Sequence, residues 1–387
     1  RGMVNNVLGR TSRISLIKYP WLLVFGVVSV ISALVFPLLF SGIPVYDPKI
    51  GIDDGLFIRP PLHLGVNNFI QSGYLICHIL VALSLSYIKF SPSKTYKAFI
   101  WAFYLEFSFV FAESVFQLAG IPFPLSIVLN NPGYALWDVS QEVHGTRNPG
   151  TFSEPSLAGA FLVLFCIAFL AQYLQLRGRS PRVILSLVAS GMVASTTSLF
   201  ALCLVPLALL IRYSPFRAPW HFSIRRTRRI VWILVIVVVP LLLVLALLTG
   251  YRDVLATLTV SKGDSGSFIN RTASDLYSLH LLIETYGIGV GLGSNRTSSL
   301  LSTLLSNVGL VGTLAYGLFC FRLFSNLPKE YSWLKWAAAA FFLNVGIAVA
   351  DVTMPMLWFP IFIAMQYSAP LLPVAPYSDR EKVEMNV

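Results

Sequence analysis

A run of polar residues with chemical potential lies at positions 147–156, directly before an apolar segment. It reads Arg-Asn-Pro-Gly-Thr-Phe-Ser-Glu-Pro-Ser and brings Arg147 and Glu154 to the edge of the apolar residues 157–174. An arginine and a carboxylate are costly at a membrane boundary unless they meet each other or a charged ligand. The run therefore predicts a site for a charged substrate that is carried by a lipid.

Two further arginines lie among small and hydroxylated residues in the second half of the chain. Arg271 is followed by Thr272, and Arg296 stands within Gly-Ser-Asn-Arg-Thr-Ser-Ser at 293–299. Guanidinium forks combined with hydroxyl and backbone donors match the oxygens of a diphosphate. We predict that Arg147, Arg271 and Arg296 bind such a group. The alternative is that they pair with carboxylates of the chain or with lipid headgroups.

Three carboxylates, Glu142, Glu154 and Asp275, are candidates for a general base. A hydroxyl nucleophile needs a proton acceptor within hydrogen-bond reach, and a carboxylate can serve. We assign this catalytic role to Glu154 or Asp275, and count Glu142 among the residues that line the cavity. A second reading of Glu154 is structural, because a carboxylate near a helix N-terminus is stabilised by the helix dipole. Both readings can hold together.

Polar residues within or beside the apolar segments complete the predicted cavity. Glu106 and Glu113 are seven residues apart on one segment, so they share a helical face, where they either line the cavity or pair structurally. Asn67 and Gln71 could bind sugar hydroxyls or cap a helix. His280 is a further candidate on a predicted helix.

The sequence carries no signature of a metal or nucleotide site. Its five histidines do not cluster, and the adjacent acids Asp53 and Asp54 would diverge on most backbones. No P-loop is present, and the glycine run at 287–293 lacks the strand and helix of a dinucleotide fingerprint. We therefore predict a reaction that uses neither a metal ion nor a cofactor.

The composition requires that these residues be positioned by membrane-spanning helices. Only 12% of the residues are charged and the mean hydropathy is +0.73, whereas a soluble protein carries about 25% charged residues. We predict an all-α polytopic membrane protein, a single transmembrane domain over 1–387. A span needs about 20 apolar residues, and ten candidates are found at 21–40, 69–88, 99–118, 157–174, 183–194, 199–211, 231–248, 300–324, 336–350 and 356–372.

The placement of basic residues predicts the orientation. With ten spans, twenty-one of the 28 Lys and Arg residues fall on the side that holds both termini, which the positive-inside rule makes cytoplasmic. The predicted site then faces the outer side, in the loops 119–156 and 250–299. The net charge of +11 reflects topology and contact with anionic lipids, so nucleic acid is not expected as a partner.

The larger predicted outer loop, 250–299, is partly helical. Apolar and near-apolar residues recur there at helical spacing and form one stripe, made of Ile269, Thr272, Leu276, Leu279, Ile283 and Tyr286. Arg271 and Asp275 are four residues apart and share another face. The glycine run at 287–293 is predicted to end this helix and to lead into the span at 300–324.

Together these motifs resemble a known family. Arg147 with Gly150, Phe152, Glu154 and Pro155 is similar to the R-x-x-G-x-F-x-(E/N)-P motif of the O-antigen polymerase and O-antigen ligase superfamily. An arginine-bearing helix, GxG turns at 289–293 and Gly-Leu-Val-Gly at 309–312 resemble its second signature. The run Ser-Thr-Thr-Ser at 195–198 also resembles the family pattern, although a leucine follows where an arginine is usual. The similarity covers roughly 60–370.

The resemblance implies a GT-C-like glycosyltransferase of the bacterial inner membrane that is independent of metal ions. Its donor and acceptor would be glycans linked to undecaprenyl diphosphate, and a chain-length regulator protein would be an optional partner. The diphosphate-binding role passes by similarity to Arg147, Arg271 and Arg296. Family members often have more than ten spans, so the resemblance allows for further spans before residue 1.

The resemblance favours a polymerase of repeat units for an exopolysaccharide, capsule or O-antigen. Ligases of the superfamily carry a histidine just after the GxG turn, and here 294–299 contain none. A ligase that transfers glycan to lipid A core or protein is the alternative. A lipid-linked sugar flippase or transporter is the alternative of another class, and it would need charge along a path through the whole membrane.

Overall fold

The computed structural model describes residues 19–47, 58–88, 90–121, 123–124, 149–152, 154–176, 180–193, 195, 202–203 and 266–367. These residues form nine named α-helices: α1 (Pro20–Leu39), α2 (Val66–Leu85), α3 (Pro92–Leu118), α4 (Pro155–Leu176), α5 (Ser180–Val193), α6 (Gly266–Glu284), α7 (Leu300–Ser325), α8 (Ser332–Ala348) and α9 (Pro355–Tyr367). A 3-10 turn, Lys329–Tyr331, joins α7 to α8. Within the described ranges there is no strand, only an isolated bridge between Pro44 and Pro61.

Five helices, α1 to α4 and α7, are long and apolar enough to cross a membrane. This confirms the helical membrane-protein class that the composition predicts. Helices also form where shorter spans were predicted, as α5, α8 and α9. The predicted spans 199–211 and 231–248 lie essentially outside the described residues, so ten spans and a GT-C-like fold stay predictions.

The centre of the bundle is α4. It is apolar on every side, and 78% of its most apolar stretch is buried, as expected for a helix enclosed by others. Aromatic rings fill the space between α4 and α3, with the centroids of Phe99 and Phe165 4.4 Å apart and those of Phe103 and Phe169 5.1 Å apart. Edge and tilted ring contacts of this kind add stability beyond simple burial.

Helices α8 and α9 meet end to end at a break. Helix α8 ends at Ala348, Val349 is extended with φ −130°, and α9 begins at Pro355. Asp351 Oδ1 accepts hydrogen bonds from the backbone N and the Oγ1 of Thr353, both at 2.7 Å. An aspartate that bonds the backbone two residues ahead favours a turn over a helix. The separation of the predicted spans 336–350 and 356–372 at 351–355 is therefore confirmed.

Helix α7 is interrupted at Gly309, where φ is 69° and ψ is −171°. The interruption frees two backbone carbonyls, and the segment 287–293 supplies their donors. Val290 N lies 2.7 Å from Ser306 O, and Gly291 N lies 2.9 Å from Asn307 O. Irregular backbone at membrane depth is tolerated only where protein satisfies its polar groups. The glycine segment, defined as 287–293, does so here.

The glycine segment needs glycine because its backbone touches other backbones. Gly289 and Gly291 have φ of 92° and 107°. A Cβ on Gly289 would lie 2.9 Å from Ser306 O, and one on Gly291 would lie 2.7 Å from Ser32 O. Residues with a Cβ avoid this conformation, so these two positions of the segment fit between α1 and α7 only as glycine. It ends α6 and leads to α7, as predicted.

Candidate functional site

The centre of the candidate site is a clamp between α6 and the residues before α7. Asp275 Oδ1 accepts from Ser298 N at 3.0 Å, and Asp275 Oδ2 accepts from Ser298 Oγ at 2.8 Å. A carboxylate that accepts two such bonds is a strong tether. It fastens the helix that carries Arg271 to the segment that carries Arg296. Two of the predicted arginines therefore lie on segments that are in direct contact.

The two arginines differ in surroundings. The side chain of Arg271 is partly buried, and no carboxylate of the described residues forms an ion pair with it, because the one ion pair found there joins His280 and Glu284. Arg296 is exposed, and its backbone N donates to Tyr46 O at 3.0 Å. Among the described residues, Arg271 therefore forms no ion pair with Asp275 or Glu284, the pairing that the sequence left open.

Buried asparagines fix the backbone that precedes Ser298. Asn307 Oδ1 accepts from Ser294 N at 3.2 Å and from Asn295 N at 2.9 Å. Asn295 Oδ1 accepts from Tyr46 N at 3.1 Å, and Asn68 Nδ2 donates to Leu292 O at 2.8 Å. A fully satisfied buried network of this kind is rigid. The segment 293–299 is therefore held in one conformation before any ligand binds.

The predicted sugar-binding residues of α2 bond to this segment and its surroundings. Asn67 Nδ2 donates to Gly293 O at 2.6 Å, while Gln71 Oε1 lies 2.6 Å from Thr353 Oγ1. Both side chains are thus engaged with other elements of the protein. Their contacts support the structural alternative that the sequence left open, and a sugar contact by either stays a prediction.

Two carboxylates of α3 hold the residues that follow Arg147 in sequence. Gly150 N donates to Glu113 Oε2 at 2.8 Å. Thr151 donates to Glu106 through its backbone N at 3.4 Å and also through its Oγ1. Both glutamates are buried, and the shared face predicted from their spacing is what allows both contacts. The contacts of Glu106 and Glu113 therefore fit the structural role that the sequence left open. A cavity role for Glu113 stays a prediction.

Glu154 stands at the start of α4. Its backbone carbonyl accepts from Leu157 N at 3.1 Å and Ala158 N at 3.2 Å, which is the position of a helix cap. Its carboxylate receives Ser156 Oγ at 3.1 Å through Oε2. The predicted helix-terminal placement is confirmed. Its catalytic role stays a prediction.

Arg59 is a cation at the site that the sequence analysis did not select. Its guanidinium lies 4.2 Å from the ring centroid of Tyr277 and 5.4 Å from that of Tyr46, so it is held by cation–π contacts. Burial raises the pKa of the Tyr277 hydroxyl, which keeps it a donor to Pro44 O at 2.6 Å. Arg59 and Tyr277 are too far apart in sequence for spacing to reveal the contact.

Replacing Tyr277 with phenylalanine is expected to cost about 1 kcal/mol of stability. The ring and its contact with Arg59 remain, while the hydrogen bond to Pro44 O is lost, and one such bond contributes about that much. Thermal unfolding in detergent measures the change. Tyr286→Phe is the control, since Tyr286 is 88% exposed and should unfold like the parent. A Tyr277→Phe midpoint equal to that of the control would contradict the role of the bond.

The remaining predicted residues do not join the clamp. His280 is exposed, with Nε2 3.7 Å from Glu284 Oε2. Arg147 and Glu142 lie outside the described residues. Across the described ranges, no three His, Cys, Asp or Glu side chains form a group able to hold a metal ion. The clamp itself supplies cations, hydroxyls and the Asp275 carboxylate, while Glu106 and Glu113 lie on α3 and Glu154 lies just before α4.

Comparison with known proteins adds no relative to this description. No protein-family model matches the chain, and no curated protein is significantly similar to it.

Proposed function

We propose that the protein is a glycosyltransferase that joins oligosaccharide repeat units carried on undecaprenyl diphosphate. The observation that carries this proposal is Arg271, a partly buried guanidinium without an ion-pair partner among the described residues, on the helix that Asp275 fastens to the Arg296 segment. A partly buried cation of this kind calls for an anion. A diphosphate beside a membrane matches it in charge and geometry.

In the proposed reaction, a sugar hydroxyl of one lipid-linked unit attacks the anomeric carbon of another. The new glycosidic bond forms as the bond from that carbon to the diphosphate breaks, and undecaprenyl diphosphate leaves with the bonding electrons. Arg271, Arg296 and Arg147 would bind the departing diphosphate, whose charge grows in the transition state. The phosphoester supplies the driving force, so no nucleotide is consumed.

Glu154 is the better candidate for the base. Its Oε2 receives one hydroxyl, and among the described residues no donor is found for its Oε1. Asp275, in contrast, has both oxygens bonded to Ser298. We therefore assign proton acceptance to Glu154 and positioning of Arg271 and Arg296 to Asp275.

The proposed setting is the outer face of the bacterial inner membrane. Ten spans with a GT-C-like arrangement and both termini in the cytoplasm would place the clamp there. Donor and acceptor would then reach it from the outer leaflet, where lipid-linked repeat units are presented.

Arg271→Ala tests the proposal. We expect the purified variant, supplied with an undecaprenyl-diphosphate-linked repeat unit, to form glycan chains about thirtyfold more slowly, since a charged hydrogen bond contributes about 2 kcal/mol. Arg271→Lys should recover only part of the rate, because a lysine cannot form two parallel bonds. The measurement is the ladder of chain lengths on a gel.

Lys329→Ala is the matched control. It also removes one positive charge, but in the turn after α7, at the far end of that helix from the clamp, so it should polymerise at the parental rate. A normal ladder from Arg271→Ala would contradict the proposal. Mass spectrometry of the product identifies the acceptor: a lipid-A core or protein acceptor would mean a ligase, and translocated but unjoined lipid would mean a flippase.

A further inference from the structure

We propose that the apolar stripe of α6 is a membrane-docking surface that contacts lipid acyl chains. The stripe is strongly exposed: Ile269, Leu276 and Ile283 are 52%, 62% and 75% accessible, and Tyr286 is 88% accessible. Monomeric soluble proteins rarely leave so continuous an apolar surface uncovered. This inference goes beyond the proposed function, because it concerns what α6 touches and holds for any reaction at the clamp.

The stripe has the geometry of a helix that buries one face among lipids. At about 100° per residue, its members within α6, from Leu279 round to Ile269, cover an arc of about 80°, and Tyr286 lies beyond the end of the helix, with φ 53°. His280 and Glu284 lie along one border of that arc, and Asp275 lies along the other. The opposite face packs against the protein through buried Ser274, Ser278, Leu281 and Thr285. A narrow apolar arc bordered by ionisable groups is typical of helices that bury one face among lipids.

The position of α6 along α7 places the stripe at membrane depth. One contact, Asp275 with Ser298, lies just before α7 begins. The other lies well down the helix, where Leu310 N donates to Gly287 O at 2.9 Å. Leu310 follows the interruption at Gly309, and the nine residues of helix from Leu300 to Val308 extend about 14 Å. The helix α6 therefore descends beside the first half of a membrane-spanning helix, and the glycine segment returns.

The length of α7 shows that this depth reaches the hydrocarbon. From Leu310, just past the interruption at Gly309, to Ser325 the helix has 16 residues and extends about 24 Å, while the hydrocarbon core is about 30 Å thick. If α7 spans the core and Ser325 stands at one edge of it, Leu310 lies about 6 Å inside the other edge. The end of α6 that meets Leu310 lies at the same level.

Exposed apolar residues of α7 begin beside the end of the stripe, where a Cβ on Gly287 would lie 3.0 Å from Leu310 Cδ1. Leu310, Val311 and Leu314 are 47%, 62% and 64% accessible on a helix that is long and apolar enough to cross a membrane. Ile288, 40% accessible, links them to Tyr286. A surface that adjoins the lipid-facing side of a membrane span is surrounded by the same acyl chains. The occupant of the stripe is therefore the acyl-chain region of the leaflet on that side.

If the proposed function is also right, docking has a consequence for the substrate. With its stripe among acyl chains, α6 would hold the Asp275 border, and Arg271 beside it, near the level of lipid phosphates. A lipid-linked diphosphate would then reach Arg271 without leaving its leaflet. This consequence rests on the proposed function, whereas the docking itself does not.

Spin-label accessibility in proteoliposomes tests the docking. Single cysteines would replace Leu279, Ile283 and, as a water-exposed reference, Lys329 in a chain whose four native cysteines are changed to alanine, reconstituted in phosphatidylethanolamine and phosphatidylglycerol. Oxygen concentrates among acyl chains, and a nickel chelate stays in water. We expect the oxygen-to-nickel collision ratio at 279 and 283 to be several-fold higher than at 329.

Two results would overturn the docking. High nickel access at 279 and 283 would put the stripe in water, and low access to both probes would mean that protein covers it. If the cysteine-free chain does not fold, the native chain can be illuminated with phospholipids that carry a photoreactive group on an acyl chain. Adducts on the 276–286 peptide support the docking, and their absence there, with labelling of other spans, refutes it. Neither readout requires glycosyl transfer, so failure here leaves the proposed function standing.

Discussion

Replacing Gly309 with alanine is expected to destabilise the protein by about 3 kcal/mol or more. Its φ of 69° and ψ of −171° fall in a region that is essentially restricted to glycine, where other residues incur about 1–3 kcal/mol of strain. In addition, a Cβ would lie 2.1 Å from Ile288 O and 2.5 Å from Gly287 O. These are backbone atoms, which cannot rotate away as a side chain could.

The damage should spread from the break in α7 to the clamp. If Gly309 resumes a helical conformation, the carbonyls of Ser306 and Asn307 bond within α7 and release Val290 N and Gly291 N. Buried donors without acceptors then add to the loss. The measurement is the fraction of protein that elutes as a single species after heating in detergent, followed over a range of temperatures.

Gly317→Ala is the matched control for this prediction. It lies on the same helix, and no atom falls within 4 Å of a Cβ built there. Alanine favours a helix interior over glycine by about 1 kcal/mol, so the control should unfold at the parental temperature or slightly above it. Equal unfolding midpoints for the two variants would show that the irregular backbone at Gly309 is not required.

Replacing Glu113 with leucine is expected to reduce glycan polymerisation by at least about fivefold. The carboxylate is the acceptor for Gly150 N, and a buried donor left without a partner costs about 1–3 kcal/mol. That cost shifts the equilibrium that holds the segment in place by about five- to 150-fold. Gly150 lies three residues after Arg147 in sequence. Loss of the hydrogen bond that holds Gly150 should therefore raise the KM for the lipid-linked substrate.

Glu113→Gln separates this positioning role from a charge effect. Glutamine keeps an amide oxygen that can accept from Gly150 N, so it should preserve most of the activity. Stability should fall little in the leucine variant, because removing a buried carboxylate recovers desolvation energy that offsets the lost bond. A leucine variant with parental KM and chain length would remove Glu113 from the positioning of this segment, and a glutamine variant as impaired as leucine would indicate that the charge itself is needed.

The class of the protein and most helix positions could be read from the sequence. Burial of apolar residues in a bilayer depends on windows of about 20 residues, so α1 to α4 and α7 appear where hydropathy places them. The break near Asp351 was also readable, because an aspartate before Thr-Met-Pro acts on its own backbone. The apolar stripe of α6 could be predicted from periodicity, but its exposure to the surroundings could not.

The contacts of the site depend on residues that are distant in the chain. The spacing of Glu106 and Glu113 gave a shared face, but nothing in it revealed Gly150 as the partner. Arg271 and Asp275 are close in sequence and could have paired, yet Asp275 bonds Ser298 instead. Arg59 was overlooked, because its aromatic partner Tyr277 lies in a different part of the chain.

The sequence alone determined a helical membrane protein with cations and carboxylates gathered in a few polar stretches, since hydropathy and helical period are local properties. The tertiary structure alone decided which of these groups bond to other groups of the protein and which remain available to a ligand. The physical reason is that hydrogen-bond partners are chosen by position in space. The glycine segment 287–293, in which four of the seven residues are glycine, packs against the broken helix α7 and sets those positions for the clamp.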